Sequence, residues 1–309
     1  MGRRGPTSEA AWQGAAAFAQ DFGGPTKLEE RSRGIPAIQK MTSRIGEAFA
    51  RMKQDRRTGL VTYVTAGDPC MQRSVAILQA LDRAGADILE VGVPFSDPLA
   101  DGPVIQRATE RALAGGATLS VILEMLQQVR PTLRVPVVLF TYANPLLRMG
   151  IEVFGRRAAE AGIDGVLVLD LPIEEAGEFR ETMAARGIDT IFLLSPTTSR
   201  DRIRRAAELG SGFLYGISRL GVTGVRDQVA VGARELVERI RAETDLPIAL
   251  GFGISRPEHV RQVGEWAEGA VVGSGLVGVI AQNSDAVDLV DRVESYVRWL
   301  KGEGENHHS

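Results

Sequence analysis

A carboxylate, Glu90, interrupts an otherwise apolar run of the chain. In a β-strand it would share one face with Ile88 and Gly92, while Leu89 and Val91 would lie on the other face. If that other face packs against helices, Glu90 points into a core, where burial raises the pKa of its carboxyl toward that of a useful general acid or base. The spacing leaves a second interpretation equally open, a structural carboxylate that neighbouring backbone or tyrosine groups satisfy.

The segment after this run carries two further carboxylates, Asp97 beside a proline and Asp101 beside a glycine. Aspartate in such a position usually stabilises a turn through its own side chain. Asp68 and Asp170, at or near the ends of other apolar runs, are open to the same two interpretations. Residue type and spacing therefore do not separate a catalytic aspartate from a turn-forming one.

Glycine clusters at three places predict an anion site: GVTG at 221–224, GFG at 251–253 and GSG at 273–275. Glycine lets backbone N–H groups approach an anion closely, and the N-terminus of a following helix adds partial positive charge. Because each cluster ends or follows an apolar run, the pattern predicts a phosphorylated small-molecule substrate.

Two side chains lie close to the first of these clusters in sequence. Tyr215 alternates with Phe213 and Ile217 within one apolar run, which is typical of a core aromatic with a satisfied hydroxyl. Arg219 follows this run. Beside a phosphate loop, its side chain is interpreted as an anion contact or a loop latch.

The residue inventory narrows the possible chemistry. Histidine occurs only at 259, 307 and 308, and residues 54–300 contain no lysine. The body of the chain therefore has neither a Schiff-base lysine nor a histidine-rich metal cluster. Cys70 is the only cysteine, which excludes an internal disulfide and a cysteine-rich metal site.

Charge and hydropathy exclude two further classes of protein. Lysine and arginine number 36 against 39 acidic residues, a net charge of -3, and no stretch is basic enough for a nucleic-acid interface. No apolar stretch is long enough to span a membrane. The composition predicts a protein of a reducing compartment, the cytoplasm.

Eight short apolar runs recur along the chain, each rich in valine, isoleucine and leucine and bounded by glycine, proline or aspartate. Such runs are typical of strands buried on both faces. Segments with helical spacing separate them, for example 44–54, 71–85, 174–187 and 199–210. The runs cover residues 59–67, 86–94, 135–143, 164–172, 189–196, 212–219, 247–254 and 269–277.

Eight strands alternating with helices predict a single closed (β/α)₈ barrel, a TIM barrel of the α/β class, over residues 41–303. Residues 1–40 lack periodicity and are predicted to be a disordered extension, with an organelle-targeting peptide as the alternative, and residues 304–309 are predicted to be a polar tail. The active site of such a barrel lies at the carboxyl ends of its strands, where Glu90, Asp101 and the glycine clusters fall.

Several of these segments resemble one known family, the tryptophan synthase alpha chain. The resemblance rests on motifs in a consistent order over residues 41–303: LEVGVPFSDPLADGP (89–103), YANP (142–145), SRLGVTG (218–224), GFGIS (251–255) and GSG (273–275). It implies a (β/α)₈ lyase of tryptophan biosynthesis that cleaves indole-3-glycerol phosphate to indole and glyceraldehyde 3-phosphate.

The resemblance also implies roles for individual residues. Glu90 becomes the general acid and base, Asp101 the carboxylate that engages the indole N–H, and Tyr215 an active-site tyrosine. Tyr142 and Thr223 match active-site or loop positions. The residues that match phosphate contacts are Gly224, Gly253, Gly273 and Ser274. No cofactor or metal is expected in this chain, whereas pyridoxal phosphate is expected in a beta chain that pairs with it as an α2β2 heterotetramer.

This chemistry agrees with the residue inventory. Without lysine or a metal, the indole ring itself must accept the electrons of the breaking carbon–carbon bond, which requires protonation at its C3 atom. Glu90 would deliver that proton and later remove one from the side-chain hydroxyl, while Asp101 stabilises the positive ring nitrogen.

Three alternatives to this function stay open. The first is a stand-alone indole-3-glycerol phosphate lyase, and the second is a non-catalytic barrel that activates a beta chain. The third is another phosphate-binding barrel. The synthase that makes indole-glycerol phosphate resembles an enzyme with lysines at strand ends, and a pentose-phosphate epimerase needs metal-binding histidines. The absence of lysine from residues 54–300 and the scarcity of histidine argue against another phosphate-binding barrel of either kind.

Overall fold

The structure, a computed structural model, describes residues 43–217, 232–251 and 253–304. Its strands are all parallel and form a closed barrel in sequence order, with the last strand paired to the first. The predicted (β/α)₈ fold is confirmed. The strands are β1 (Gly59–Thr65), β2 (Ile88–Gly92), β3 (Val137–Thr141), β4 (Gly165–Val168), β5 (Asp189–Leu194), β6 (Leu214–Ile217), β7 (Ile248–Gly251) and β8 (Gly269–Val272).

Helices surround this barrel within the described residues. Each strand lies inside its predicted apolar run. β1, for example, ends at Thr65, two residues before its run does, and Gly67 in the following turn adopts a φ of +88°. The helices are α1 (Arg44–Gln54), α2 (Met71–Arg83), α3 (Pro103–Ala114), α4 (Leu119–Val129), α5 (Ala143–Met149), α6 (Ile151–Glu160), α7 (Ala176–Ala184), α8 (Arg200–Leu209), α9 (Ala233–Arg241), α10 (Pro257–Gly264), α11 (Ser274–Gln282) and α12 (Leu289–Leu300).

Both faces of the strands are buried, which explains their continuous apolar runs. Side chains on the outer face pack with the helices into one large cluster. On the inner face, each strand or the residue just before it contributes at least one side chain to a cluster in the barrel interior. Those residues are Val61, Ile88, Val138, Leu167, Ile191, Phe213, Tyr215, Ala249 and Val271.

Helix α1 closes the amino end of this interior. The side chain of Ser43 caps the helix by accepting a hydrogen bond from the Gly46 N–H at 3.1 Å. Ile45, Phe49 and Met52 are buried in the interior cluster, and the Phe49 ring lies 5.5 Å from that of Phe213. The amino end is therefore filled, and the opposite end remains for a site.

Three acidic side chains also pin the amino ends of neighbouring strands. Each stands one residue before a strand, accepts a hydrogen bond at 2.8 Å from a backbone N–H of the preceding strand and pairs with an arginine. We call these groups the amino-end clasps: Asp87 with Leu60 N–H and Arg57, Asp164 with Val137 N–H and Arg130, and Glu268 with Ile248 N–H and Arg241.

Among the described residues no single helix is long and apolar enough to cross a membrane. Two helical stretches, Pro103–Ala114 and Leu119–Thr132, reach that length and apolarity only when taken together, across a bend of 91°. The predicted extension at 1–40 and the tail residues 305–309 lie outside the described residues.

Candidate active site

Glu90 lies in the middle of β2 and points into the barrel, on the face that the sequence predicts. Ile88 belongs to the interior cluster, whereas Leu89 and Val91 belong to the outer cluster. The Glu90 side chain is almost fully buried, with 1% of its surface exposed. Neither of its carboxylate oxygens has a hydrogen-bond partner within the described part of the chain. The interpretation of Glu90 as a satisfied structural carboxylate is therefore wrong.

Burial raises the pKa of Glu90 from its ordinary value to about 8. The carboxyl group loses the water that would solvate its charge, and no donor among the described residues replaces that water. Near neutral pH Glu90 therefore holds a proton that it can give up at little cost. This is the state that a general acid needs.

Asp101 lies in the loop between β2 and α3, above the barrel interior. Its carboxylate accepts a hydrogen bond from the Tyr142 hydroxyl at 3.3 Å. Burial raises the pKa of Asp101 to about 6, although the bond from Tyr142 lowers it in part. Asp101 is therefore mostly ionised at neutral pH, in contrast to Glu90.

Tyr142 follows β3 and fixes this loop. Its hydroxyl also accepts a hydrogen bond from the Ala100 N–H at 3.2 Å, and its ring lies 5.1 Å from the Phe95 ring. Burial, followed by the Asp101 charge, raises the pKa of Tyr142 to about 12. The phenol therefore stays neutral and donates to Asp101 at any working pH.

Tyr215 in β6 lies inside the barrel, as its alternation with Phe213 predicts, and only 8% of its surface is exposed. Burial raises its pKa well above the ordinary value, and the Glu90 charge raises it further. A Cβ atom at Gly251 would lie 2.5 Å from the Tyr215 hydroxyl oxygen, so only glycine leaves room there. The structure thus brings Tyr215 toward Glu90.

Tyr63 is a site residue that sequence reasoning missed. It lies in β1 as the register partner of Glu90, and a Cβ atom at Gly92 would come within 2.2 Å of its hydroxyl oxygen. Burial raises the pKa of Tyr63, and the Asp101 and Glu90 charges add to the increase. The period-two rule, applied to β1, would have placed Tyr63 on an interior face. Its proximity to Glu90 depends on strand register, which the sequence does not display.

The glycine clusters after β7 and β8 come to adjacent strand ends. Gly253 adopts a φ of +68°, a conformation that favours glycine. Gly273 precedes α11, and Ser274 is the first residue of that helix. Gly224, Thr223 and Arg219 lie outside the described residues.

The other aspartates of the strand ends have partners. Asp68 is buried and accepts two hydrogen bonds from the Arg111 guanidinium, at 2.7 and 2.9 Å. Asp170 accepts from the Ala143 N–H at 2.6 Å, and Asp97 accepts from the Ser96 hydroxyl at 3.1 Å. Asp68 and Asp170 therefore join segments that are distant in the sequence, and Asp97 bonds to its neighbour, so each of the three carboxylates makes a structural contact.

The described residues contain no group of three or more histidine, cysteine or acidic side chains that could hold a metal ion. The site consists of a protonated carboxyl, an ionised carboxylate and neutral phenols around an apolar interior. Such a set can transfer a proton and stabilise a positive charge.

A family model described as tryptophan synthase alpha chain matches residues 49–303. The chain belongs to this family. Its similarity to a tryptophan synthase alpha chain from Solibacter usitatus is 48% identity over 259 residues, 84% of this chain and 97% of the relative. A tryptophan synthase alpha chain from Arabidopsis thaliana is 42% identical over 258 residues, 83% of this chain and 94% of the relative.

Solved structures agree with this membership. Tryptophan synthase subunit alpha from Legionella pneumophila superposes with a TM-score of 0.78 at 36% identity, over 84% of this chain and 98% of that chain. A chain of the tryptophan synthase complex from Pyrococcus furiosus superposes with a TM-score of 0.73 at 36% identity, over 79% of this chain and 98% of that chain. The predicted family and enzyme class are confirmed: the chain is a lyase that serves tryptophan biosynthesis as an alpha subunit.

Proposed function

We propose that the chain cleaves indole-3-glycerol phosphate to indole and glyceraldehyde 3-phosphate, with Glu90 as the general acid and base. The observation that carries this proposal is the buried Glu90 carboxyl, which lacks a hydrogen-bond partner among the described residues and has a pKa of about 8. A protonated carboxyl in an apolar interior can protonate the weakly basic C3 atom of an indole ring.

The reaction then balances without a metal or lysine. Glu90 gives its proton to C3, and the ring becomes an indolenine cation. The ionised Asp101 accepts a hydrogen bond from the ring N–H and stabilises that positive charge. Glu90, now a carboxylate, takes the proton of the hydroxyl on the carbon attached to the ring. The carbon–carbon bond breaks, its electron pair restores indole, and the aldehyde leaves.

The tyrosines serve this reaction as neutral groups. Tyr142 holds Asp101 by a hydrogen bond, and the buried side chains of Tyr63 and Tyr215 lie close enough to Glu90 for its charge to raise their pKa values. Because their phenols stay protonated, they add no negative charge that would oppose ionisation of Glu90 during the reaction. They also exclude water from the carboxyl group, which keeps its pKa high.

The phosphate group is assigned to the turns after β7 and β8. Gly253, Gly273 and Ser274 present backbone N–H groups, and the N-terminus of α11 adds partial positive charge. Gly224 and Thr223 are assigned to the same end of the substrate because they match the family motif. An anion held there places the indole end of the substrate toward Glu90.

The same proposal includes a beta chain that carries pyridoxal phosphate, joined to this chain as an α2β2 heterotetramer in the cytoplasm. Structures of tryptophan synthase complexes support a partner for this family. Two leucines near the carboxyl ends of the strands support it further: Leu99 is 94% exposed and Leu147 is 66% exposed. Leu99 belongs to the loop of Asp101, so a partner that covers it would act directly on the site.

Indole release from indole-3-glycerol phosphate, measured with and without a matching beta chain, tests this function. We expect slow release by the chain alone and marked activation by the partner, with the Glu90→Gln variant as the inactive control. High activity that does not respond to the beta chain would favour a stand-alone lyase. Activation of the beta chain without any indole release would favour a non-catalytic activator.

A further inference from the structure

The hydroxyl group of Tyr296, in α12, lies between the turn after β7 and the turn after β8. Tyr296 in α12 is buried, with 5% of its surface exposed, and its ring lies 5.7 Å from that of Trp299. Its hydroxyl donates a hydrogen bond to the Ser255 carbonyl oxygen at 3.2 Å. Ser255 closes the turn that contains Gly253, so α12 contacts the backbone of that turn directly.

The same serine is held from a second helix. The Ser255 N–H donates to the His259 Nδ1 atom, which lies in α10, at 3.3 Å. The carbonyl and the N–H of one residue are therefore bonded to different helices. This arrangement fixes the orientation of both peptide groups of Ser255, and with them the end of the turn after β7.

The turn after β8 packs against the same hydroxyl. A Cβ atom at Gly275 would lie 2.6 Å from the Tyr296 hydroxyl oxygen and 3.3 Å from the Ile254 carbonyl oxygen. Gly275 belongs to the first turn of α11, directly after Gly273 and Ser274. The hydroxyl of Tyr296 thus sits where the two turns meet, and no side chain fits between them.

We propose that Tyr296 is a positioning residue that sets the distance between the Gly253 turn and the amino end of α11, and through it the affinity for the phosphate end of the substrate. The inference rests on the proposed function, because it assigns the anion to these two turns. An anion held by N–H groups from both turns requires them at one separation, since hydrogen bonds weaken steeply with distance and angle.

The hydroxyl suits this role across the working range of pH. Burial raises the pKa of Tyr296 to about 12, so the group remains a neutral donor to Ser255. Titration of Tyr296 would therefore not weaken phosphate binding in this range of pH.

The first test replaces the hydroxyl alone, by Tyr296→Phe, in the complex with a saturating beta chain. We expect KM for indole-3-glycerol phosphate to rise about fivefold, the ratio that one neutral hydrogen bond typically carries, with kcat within about twofold. Calorimetry with glycerol 3-phosphate should show a matching rise in Kd. The control is Ser295→Ala, which removes an exposed hydroxyl from the same helix and should change neither constant.

A second test uses the glycine that meets the hydroxyl. Gly275→Ala should weaken glycerol 3-phosphate binding more than tenfold, because its Cβ forces the turns apart, whereas Gly278→Ala on the same helix meets open space and should not. The double variant Gly275→Ala with Tyr296→Phe should bind better than the product of the two losses predicts, since removal of the oxygen relieves part of the clash.

The proposal is overturned if Tyr296→Phe leaves KM and Kd unchanged, if it lowers kcat alone, or if the two losses simply multiply. Should Tyr296→Phe fail to fold, equal affinities of the Gly275→Ala and Gly278→Ala variants would overturn it. Absence of indole release by the unaltered complex would instead remove the proposed function. The binding measurements with glycerol 3-phosphate would still decide the role of Tyr296.

Discussion

The two ends of the barrel place the same kind of side chain in opposite environments. At the amino end, each carboxylate of the three clasps has a strand N–H and an arginine as partners. At the carboxyl end, Glu90 has no hydrogen-bond partner among the described residues, and Asp101 has the Tyr142 hydroxyl. The carboxylates of the clasps join strands to each other, whereas Asp101 has only a neutral donor and Glu90 has none among the described residues.

The difference lies in what replaces the lost water. Burial raises the pKa of Asp164 in a clasp as well, but the Val137 N–H and the Arg44 charge offset part of the effect. Nothing offsets it at Glu90, where burial is the sole cause of the increase. A carboxylate with donors contributes to stability, and one without them stores free energy that catalysis can use.

The largest expected effect comes from Glu90→Gln at the carboxyl end. The amide cannot transfer a proton, so we expect kcat to fall on the order of 10²- to 10⁴-fold, the range typical of a general acid and base. Circular dichroism and glycerol 3-phosphate binding should stay close to those of the unaltered chain. Turnover near normal in this variant would remove Glu90 from the mechanism.

Asp101→Asn should have a smaller effect, a fall in kcat of roughly 10²-fold, because the charge matters most once the ring nitrogen is cationic. In the unaltered enzyme kcat/KM should rise with pH through the pKa of Asp101, about 6, and fall through that of Glu90, about 8. In the Asp101→Asn variant, the rise of kcat/KM near pH 6 should be lost and the fall near pH 8 should remain. An equal loss of ligand affinity and rate would instead indicate ground-state binding.

Glu90 should also make the stability of the protein depend on pH. Below about 4.5 both the folded and the unfolded states hold the proton, and between about 4.5 and 8 only the folded state does. The free energy of unfolding therefore decreases as pH rises through this window, by a few kcal/mol. Urea denaturation at pH 5 and pH 8 should show this decrease, and Glu90→Gln should remove it. The same decrease in that variant would contradict the assignment.

The smallest expected effect comes from the amino end. Asp87→Ala removes the acceptor of the Leu60 N–H and the partner of Arg57, so we expect a loss of about 1–3 kcal/mol in the free energy of unfolding. Its kcat/KM should stay within about twofold, because the clasp lies at the end opposite to Glu90. A tenfold loss of kcat/KM without a loss of stability would contradict the assignment of stability to the amino end and of catalysis to the carboxyl end.

Much of the barrel could be predicted from local patterns. Each of the eight apolar runs contains one strand, because strands buried on both faces need continuous apolar sequence. The interior position of Glu90 followed from the period of two, which is a property of the strand itself. Asp101 could not be separated from Asp68, Asp97 and Asp170, since all four lie where aspartate commonly forms turns.

Contacts between distant segments required the tertiary structure. Tyr63 faces Glu90 because β1 and β2 pair in one register, and Tyr142 reaches Asp101 across 41 residues of sequence. Tyr296 meets Ser255 for the same kind of reason, through the packing of α12 on the strand ends. None of these pairs can be recognised from the sequence around either residue.

The sequence by itself therefore determined the fold, the direction of Glu90 and the family, because each depends on residue type and short-range period. Only the tertiary structure decided which polar groups have partners. That distinction sets the pKa values of Glu90 and Asp101, since a pKa depends on the water and the donors that surround a group in three dimensions.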